Sequence, residues 1–440
     1  MTIYEVVRGI IEERGMDLAE VASIKGPAQA DEFYVLVQDM FQGVVRTVGG
    51  CPMYYDGRVF VPCSGGDFQS AIRKCCVEAG VKAAALRALG GWLSDAFRSD
   101  PVEPDRRWVA FEDCLVNLDS FTSRDFTPSI VTDIALPYVW DRKARCPQWE
   151  AFLQEVLPSA GARAALQEFF GCVFLDRKRM SIEKMAFLIG AGANGKSVCL
   201  NVIGEVLGER YVSHLSPRGL SDERQIVSLR GRLLNISPDV RSGAELDSSL
   251  KALASGQEVD GYRLYKGAEQ VTAPPLVFAM NGYPRVTDES QGMARRLLVF
   301  PFSVSIPEER QDRELAWRIA REEAVGVIAW MFEGARRLLR TGGVFTYDPT
   351  MEEAREKFLR WGHAGGATVS IAQTDALDTW AQTHGWTFAP TSHDPKGTRV
   401  PFRAICAETG IDKRLLPSML ARHGATKGRG KETYYILYKI

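Results

Sequence analysis

The hydrophobic pattern is most regular in the middle of the chain. Between residues 183 and 302, the short apolar runs KMAFLIG, RLLNISPD, PLVFAMN and RRLLVFPF each end at polar or turn residues, and helical patterns alternate with them. Runs that are apolar throughout are typical of strands buried on both faces of a parallel sheet. The pattern therefore predicts an α/β region with a central parallel sheet.

The flanking regions have different patterns. Residues 1–135 mix strand-like and helical pieces, which predicts a small α+β region. In the range 136–182, apolar residues recur at helical spacing, which predicts a collar of two helices. The residues that mark these two helices are Trp149, Phe152, Leu153, Leu166, Phe169 and Phe170.

The end of the chain predicts a separate small domain over 367–440, joined to a core over 183–345 by a linker over 346–366. Its last stretch predicts a helix, a turn at Thr409 and Gly410, a second helix from near Asp412, and two strands that turn between Gly428 and Gly430. That order is typical of a helix-turn-helix with a wing, a winged-helix domain.

Composition narrows the class of protein. The 440 residues are 45% apolar and 25% charged, values typical of a globular protein with several domains. No apolar run approaches the roughly 20 residues of a membrane span, and the first residues are charged, so we expect a cytoplasmic protein of a bacterium or infected host, without a membrane partner. The nine cysteines form no C-x-x-C pair, so we expect reduced, mostly buried thiols.

Charge is unevenly distributed along the chain. The net charge is −1, yet residues 397–440 hold nine Lys and Arg against Glu408, Asp412 and Glu432. A basic terminal region favours nucleic acid as a partner. A packing domain with a solvated basic surface is the alternative.

The stretch FLIGAGANGKSVCLNVIGEVLG fits the Walker A pattern of a phosphate-binding P-loop, G-x-x-x-x-G-K-[ST], between a strand and a helix. Glycines let backbone N–H groups face a phosphate, the lysine reaches the β and γ oxygens, and the serine ligates Mg²⁺. We therefore expect ATP and Mg²⁺ as cofactors; a glycine-rich turn with a surface lysine is the alternative. The predicted binding residues are Gly190, Ala193, Asn194, Gly195, Lys196, Ser197 and Val198.

Polar residues that follow the later strands are candidate catalytic groups. Asp239 ends RLLNISPD, where a carboxylate could hold Mg²⁺ or polarise the attacking water, although a helix cap or turn residue is an alternative. Asn281 ends PLVFAMN and could contact a γ-phosphate, or could simply form a turn. Arg295 and Arg296 precede the last strand, and in isolation they indicate a solvated face.

In this order the motifs resemble the superfamily-three helicases, in particular phage and plasmid primase-helicases of the poxvirus type. The resemblance covers residues 135–339, including CPQWEAFLQEV, GAGANGKS, LRGRLLNISPDV, LKALASGQEVDGYRLYKG, LVFAMNGYPRVTD and RRLLVFPF. It implies an AAA+-type P-loop core, a homo-oligomer in the form of a hexameric ring, ATP hydrolysis between subunits, and movement on single-stranded or forked DNA.

The resemblance also implies roles for individual residues. Lys196 and Ser197 would bind phosphate and metal, Asp239 would be the acidic residue and a second metal contact, and Asn281 would be the polar sensor. Either Arg295 or Arg296 would act on the neighbouring subunit's nucleotide. Residues 257–270 would form a DNA-binding hairpin carrying Arg263 and Lys266, for which an ordinary surface hairpin is the alternative; Lys251 matches a recurrent lysine without a specified role.

Two features depart from the family. The family usually has a glutamate where this chain has Pro238 and a lone Asp239, which predicts slow turnover. Residues 1–135 lack an h-D-h-D acidic pair, so we expect no priming activity and a separate primase or polymerase as partner.

The basic tail completes the functional hypothesis. Phosphate contacts are predicted for Arg414, Arg422, Lys427, Arg429 and Lys431. The sequence favours an ATP-dependent replicative DNA helicase of a phage, plasmid or related mobile element. An ATP-binding origin-recognition or loading factor with little turnover is the alternative, and a small-molecule kinase is a third possibility.

Overall fold

The structure is a computed structural model that describes residues 1–15, 41, 43–48, 51–63, 65–79, 101–102, 104–263, 267–363, 370–392, 394–429 and 433–440. Their contacts divide the chain into two compact units, Met1–Arg142 and Lys143–Ile440. None of the helices in these ranges combines the length and hydropathy that a bilayer span requires.

The first unit mixes helices and short strands. Its elements are α1 (Ile3–Glu13), β1 (Val45–Val48), β2 (Cys51–Tyr55), β3 (Phe60–Pro62), α2 (Gly65–Glu78), β4 (Pro101–Val102), β5 (Trp108–Ala110), β6 (Leu115–Asn117) and β7 (Ser123–Arg124). A sheet in the order β3-β2-β1-β4 and a second in the order β5-β6-β7 are formed. Val7 of α1 and Phe68 of α2 are fully buried in one cluster, so the two helices pack through their apolar faces.

The second unit begins with two helices and then alternates strands with helices. Its strands are β8 (Met185–Ile189), β9 (Val212–Ser213), β10 (Leu234–Val240), β11 (Glu245–Leu246), β12 (Glu258–Arg263), β13 (Gly267–Thr272), β14 (Leu276–Met280), β15 (Arg285–Val286), β16 (Leu297–Pro301), β17 (Trp386–Thr387), β18 (Thr398–Pro401), β19 (Thr426–Arg429) and β20 (Thr433–Lys439). Its α-helices are α3 (Pro147–Val156), α4 (Ala160–Gly171), α5 (Lys196–Leu207), α6 (Pro217–Leu220), α7 (Glu223–Ile226), α8 (Ser249–Ala254), α9 (Gln291–Ala294), α10 (Leu315–Glu322), α11 (Ala324–Thr341), α12 (Pro349–His363), α13 (Ile371–Thr383), α14 (Phe402–Thr409) and α15 (Leu416–Arg422).

A five-stranded parallel sheet forms the centre of this unit, in the order β16-β8-β14-β10-β9. Every residue of β8 and β14 is buried, as expected for strands covered on both faces. The apolar runs in the sequence supply four of these strands, so the predicted α/β region with a parallel sheet is confirmed.

The strand order reverses beside β8. From β8 the chain crosses to the edge strand β9, returns through β10 to β14, and then adds β16 on the other side of β8. In parallel α/β sheets, ligands bind beyond the carboxyl ends of the strands at such a reversal. The segment that follows β8 therefore lies where a ligand is expected.

The two helices predicted before the sheet are present as α3 and α4. Helix α4 packs closely against α11, since a Cβ added to Gly171 would lie 2.3 Å from the backbone nitrogen of Ala335. The reciprocal glycine, Gly334, would bring a Cβ to 2.1 Å from the carbonyl of Gln167. Glycine at both positions allows the helix backbones to touch.

The stretch predicted as a linker, 346–366, contains most of a packed helix. Phe358 of α12 is fully buried, with its ring centroid 4.8 Å from that of Phe187 in the central sheet. Trp361 of α12 is 3% exposed and stacks near Tyr283, at 6.2 Å between centroids. This helix carries many charges, but its buried face joins the core.

The last segment forms helices α14 and α15 and an antiparallel sheet in which β20 pairs with β17, β18 and β19. Helix α15 begins at Leu416, later than predicted, because Asp412 first forms a turn: its carboxylate accepts the Arg414 N–H at 2.6 Å. The predicted turn between the helices is at Gly410, with φ 66°. Strands β17 and β18 were not predicted.

Candidate functional site

The loop between β8 and α5 has an unusual backbone. Gly192, Ala193 and Gly195 have φ angles of 116°, 49° and 82°, in a region that favours glycine. The carbonyl of Ala193 accepts a hydrogen bond from the Ile306 N–H at 2.8 Å. The strained loop is therefore held by the segment that follows β16.

Gly190 lies at the tightest point of this loop. A Cβ there would lie 1.9 Å from Nδ2 of Asn194 and 2.3 Å from the carbonyl oxygen of Phe302. Nδ2 of Asn194 itself donates to that carbonyl at 2.8 Å. Only glycine leaves room for this bond between the loop and the end of β16.

Lys196 is a buried cation, 5% exposed, at the first position of α5. Its Nζ donates to the carbonyl of Gly190 at 3.0 Å and to Oδ1 of Asn194 at 2.7 Å. Burial lowers the pKa of its ammonium group to about 8, an effect that the negative charge of Asp239 opposes. The ammonium group lacks a directly bonded anion within the described residues, so an anionic ligand would relieve the cost of burying it.

The start of α5 supplies further donors. Its N-cap residue is Gly195, which has no side chain to cap the helix. The first intrahelical hydrogen bond runs from the Cys199 N–H to the Gly195 carbonyl at 2.9 Å. The N–H groups of Lys196, Ser197 and Val198 precede that bond, so they can bind an anion together with the positive end of the helix dipole.

A cavity of about 570 Å³ lies over this loop. Its walls bring together most of the predicted binding loop with both strand-end candidates, Asp239 and Asn281. The lining residues are Phe152, Glu155, Gly192, Ala193, Asn194, Gly195, Lys196, Ser197, Val198, Pro238, Asp239, Ala279, Met280, Asn281, Ile306, Arg310, Gln311, Asp312, Arg313 and Leu315.

Asp239 reaches the cavity because β10 is irregular at its end. The pairing of β10 with β14 shifts between Ser237 and Val240. Pro238 has no N–H to give to the ladder, and both Pro238 and Asp239 are exposed. The strand therefore turns its carboxylate out of the sheet towards the loop that holds Lys196.

Arg295 and Arg296 lie away from the cavity and differ from each other. Arg296 is 8% exposed and donates to the Ser255 hydroxyl at 3.0 Å and to the carbonyl of Gly292 at 2.6 Å. Arg295 has a side chain 64% exposed and shares Glu183 with Arg296. The interpretation of both as a solvated face is thus wrong for Arg296, which is part of the packed interior.

The predicted hairpin is present as the antiparallel pair β12 and β13, which ends with Arg263 opposite Gly267. Lys266 and the side chain of Arg263 lie outside the described residues. Tyr262, next to the turn, is 43% exposed. Lys251, in the helix before the hairpin, forms an ion pair with Asp288 at 2.6 Å.

A buried guanidinium holds the base of this hairpin. Arg177 is 6% exposed and donates to the carbonyl of Ala254, before the hairpin, at 2.9 Å and to that of Ala273, after it. Burial lowers the pKa of this arginine. Both stems of the hairpin are therefore tied to one side chain.

The predicted phosphate contacts of the tail differ in exposure. Arg414 and Lys427 are exposed. The guanidinium of Arg422 lies over the Trp361 ring, 5.3 Å from its centroid, and burial lowers its pKa. Lys431 and the side chain of Arg429 lie outside the described residues.

Sequence reasoning missed one wall of the cavity. Glu155 of α3 forms an ion pair with Arg310, and both residues line the cavity. Asp312 binds Arg318 at 2.6 Å, a bond that lowers the pKa of its carboxyl group. The signal in the sequence was the charged run EERQDRE, five residues after RRLLVFPF. The segment after β16 must emerge at the same edge of the sheet as the loop after β8, because the two strands are parallel neighbours.

The arrangement fits a nucleoside triphosphate. Its loop has donors for phosphate oxygens, and the rest of the cavity has an aromatic ring, Phe152, beside charged groups. No group of three or more metal-binding side chains occurs in the ranges that the structure describes. Mg²⁺ does not need one, because it binds through one or two protein oxygens together with water and phosphate. Ser197 and Asp239 would supply those oxygens.

Comparisons with known proteins match part of this picture. Residues 188–296 match a family model described as a family of unknown function (DUF5906). That range includes the loop, Asp239, Asn281 and both arginines, but not the wall formed by Glu155 and Arg310.

The chain is also similar to solved structures of one protein. They are described as the A form apo structure of NrS-1 C terminal region-CTR (11% identity, TM-score 0.42) and the apo structure of NrS-1 C terminal region (305-718) (10% identity, TM-score 0.43). In each comparison the similarity covers 92% of this chain and 98% of the other.

Proposed function

We propose that the protein is a Mg²⁺-dependent ATPase that drives a replicative DNA helicase of a phage, plasmid or related element. The observation that carries the proposal is the buried Lys196, which lines a cavity together with Asp239 and Asn281. Among the described residues, its Nζ donates to two neutral oxygens and to no carboxylate. A phosphate group supplies the missing negative charge.

Four side chains of the cavity have roles in this reaction. Lys196 and the N–H groups that begin α5 bind and orient the phosphate chain. Ser197 and Asp239 would hold Mg²⁺, which would neutralise phosphate charge. Asp239 also accepts a proton from, or orients, the attacking water, and the amide of Asn281 positions that water against the terminal phosphate.

The trans-acting residue in this proposal is Arg295. Its side chain is largely exposed and forms an ion pair with Glu183 beside it. Arg296 is held by Ser255 and Gly292, so it supports the loop that carries Arg295. In the homo-oligomeric, hexameric ring that we propose, Arg295 would reach the nucleotide of the neighbouring subunit and stabilise the transition-state charge.

The DNA contacts belong to the same proposal. The hairpin of β12 and β13, with Arg263 and Lys266, would grip the backbone of single-stranded or forked DNA. Exposed cations of the last segment, such as Arg414 and Lys427, would add salt-dependent affinity. Priming would come from a separate primase or polymerase.

A DNA-stimulated ATPase assay on the purified full chain tests the proposal. We expect hydrolysis that rises with single-stranded DNA and falls at least about 100-fold in Lys196→Ala, because the phosphate loses its buried cation. The alternative is a loading factor with little turnover, favoured by the single carboxylate after Pro238. Tight ATP and DNA binding without turnover would support that alternative, and a monomer under all nucleotide and DNA conditions would contradict both.

A mixing experiment tests the role of Arg295. Arg295→Ala alone is expected to lose about 10³-fold in turnover, and Lys196→Ala alone is inactive. When the two variants are mixed in equal amounts, about a quarter of the subunit interfaces should become active. These are the interfaces that combine an intact lysine from one variant with an intact arginine from the other. If Arg295 acted within its own subunit, mixing would restore nothing.

A further inference from the structure

The last sheet has one buried face and one open face. In β20, Tyr435 and Leu437 are 1% and 0% exposed, whereas the alternate residues Tyr434, Ile436 and Tyr438 are half-buried. Arg399 of β18 pairs directly with Ile436, so it belongs to the same side of the sheet. We call these four outward residues, Arg399, Tyr434, Ile436 and Tyr438, the tyrosine face.

Both tyrosine rings of this face lie over glycines of neighbouring segments. A Cβ added to Gly428 of β19 would lie 2.2 Å from Cζ of Tyr434. One added to Gly397, just before β18, would lie 2.8 Å from Cε1 of Tyr438. The rings therefore occupy space that only glycine leaves free, and they lie along the sheet rather than standing away from it.

Within strands β17 to β20, Arg399 is the charged residue that strand pairing places on this face. Lys427 pairs with Tyr435, and Lys439 alternates with Tyr438, so both belong to the opposite side of the sheet. The Arg399 guanidinium lies 4.9 Å from the centroid of the Tyr434 ring. Nearby, the carboxylate of Asp394 accepts backbone N–H groups of Gly397 at 2.9 Å and Lys439 at 3.1 Å.

We propose that the tyrosine face binds single-stranded nucleic acid by stacking bases on Tyr434 and Tyr438. Aromatic rings that lie flat beside cations are the usual platform for unpaired bases, because every base offers a π-face and every linker carries a phosphate. The two tyrosines are four residues apart in one strand, about 13 Å, so they take two separate bases. A duplex keeps its bases stacked on each other and offers this face only phosphates.

This inference deepens the proposed function, since it adds a strand-binding surface to a protein that we propose to act on DNA. It commits to nucleic acid rather than to a protein partner because Arg399 places a positive charge beside the Tyr434 ring, and because residues 397–440 hold nine Lys and Arg against three carboxylates. The tyrosine face is distinct from the proposed ATP cavity, because none of its four residues lines that cavity.

Fluorescence anisotropy with a labelled oligo-dT strand tests the inference on the full chain. We expect the double variant Tyr434→Ala with Tyr438→Ala to bind the strand about 100-fold more weakly, about 10-fold for each ring. Its salt dependence should keep the wild-type slope, because no charge is removed. The matched variant Tyr434→Phe with Tyr438→Phe keeps both rings and should bind within about 2-fold of wild type. Wild-type affinity in the alanine variant, or equal loss in the phenylalanine variant, would overturn the inference.

Photocrosslinking gives a second measurement that does not depend on any variant. An oligonucleotide with 5-iodouracil is expected to attach to the peptide that holds Tyr434 and Tyr438, and the same sequence as a duplex is not. Attachment only elsewhere, which is the outcome if this face binds a protein, overturns the inference. ATP hydrolysis by the wild-type protein is measured separately, so attachment at the tyrosines without hydrolysis would contradict the proposed function and leave this inference standing.

Discussion

The two main sheets of the second unit place their polar residues in different ways. The parallel sheet is covered on both sides, so its candidate chemistry lies only where β8, β10 and β14 end. The antiparallel sheet around β20 is covered on one side, and its polar and aromatic residues spread across the other. Candidate functional residues therefore lie at the strand ends when both faces of a sheet are covered, and across a face when one face is open.

The difference also affects tolerance to substitution. A strand-end site depends on single atoms held by tight backbone contacts, as Gly190 and Lys196 are. An open face binds through several similar contacts, each of modest strength. Substitutions should therefore have abrupt effects at the first site and graded effects at the second.

The largest expected effect is on turnover at Asp239. Asp239→Asn removes the negative charge but keeps the shape, so we expect turnover to fall about 10²- to 10³-fold while nucleotide affinity changes little. Steady-state hydrolysis and equilibrium binding of a non-hydrolysable analogue measure the two effects. Asp239→Glu is the control and should retain or raise turnover, since it keeps a carboxylate at this position. Unchanged turnover in Asp239→Asn would remove Asp239 from the mechanism.

The antiparallel sheet offers a matched pair of neighbours for a stability test. Leu437→Ala should lower the free energy of unfolding by about 3 kcal/mol, because Leu437 is fully buried. Ile436→Ala, on the open side, should cost about 1 kcal/mol or less. Chemical denaturation of the two variants measures the difference, and equal losses would mean that both sides are covered.

Gly190 tests the backbone of the strand-end site. Gly190→Ala places a methyl group against the Phe302 carbonyl, so we expect a loss of about 2 kcal/mol of stability and a larger loss of nucleotide binding. Gly204→Ala in α5 is the control, because the added carbon lies 3.5 Å from Ile236, an ordinary contact. The control variant should have unchanged or slightly higher stability. A Gly190→Ala protein with wild-type stability and nucleotide binding would show that the loop is not rigid.

The smallest effect is on proton uptake at Lys196. Its pKa near 8 lies below the ordinary lysine value, so the folded protein loses this proton before the unfolded chain does, and its stability should rise between about pH 8 and 10.5. A bound phosphate favours the ammonium form, so binding at pH 8.5 should take up about 0.8 proton, against about 0.1 at pH 7.

Calorimetry of analogue binding in two buffers with different ionisation enthalpies measures this uptake. Lys196→Arg is the control, because its guanidinium stays charged and should take up no proton. Uptake that is the same in the control would assign the proton to another group.

The sequence predicted the strands and the loop because both depend on local patterns. Apolar runs identified four of the five parallel strands, and the strand ends pointed to Asp239 and Asn281. The pair of Glu155 and Arg310 was not predicted. The two residues lie close together because β16 pairs with β8, and no local sequence pattern gives the order of strands in a sheet.

Other misses have equally physical causes. Strand β18 is four residues long and contains a proline, so it carries almost no strand signal. Helix α12 was interpreted as part of a linker because its charges conceal a buried face at Phe358 and Trp361. Arg296 resembles any surface arginine in the sequence, and only its contacts with Ser255 and Gly292 place it in the interior.

The clamp of Arg177 on Ala254 and Ala273 has a mechanical consequence. Because one guanidinium grips both stems, a pull on the tip of the β12 and β13 hairpin cannot separate its strands at the base. The hairpin therefore moves as one rigid unit and transmits a force on its tip to the segment that carries Arg177, which follows α4 and its neighbouring turn.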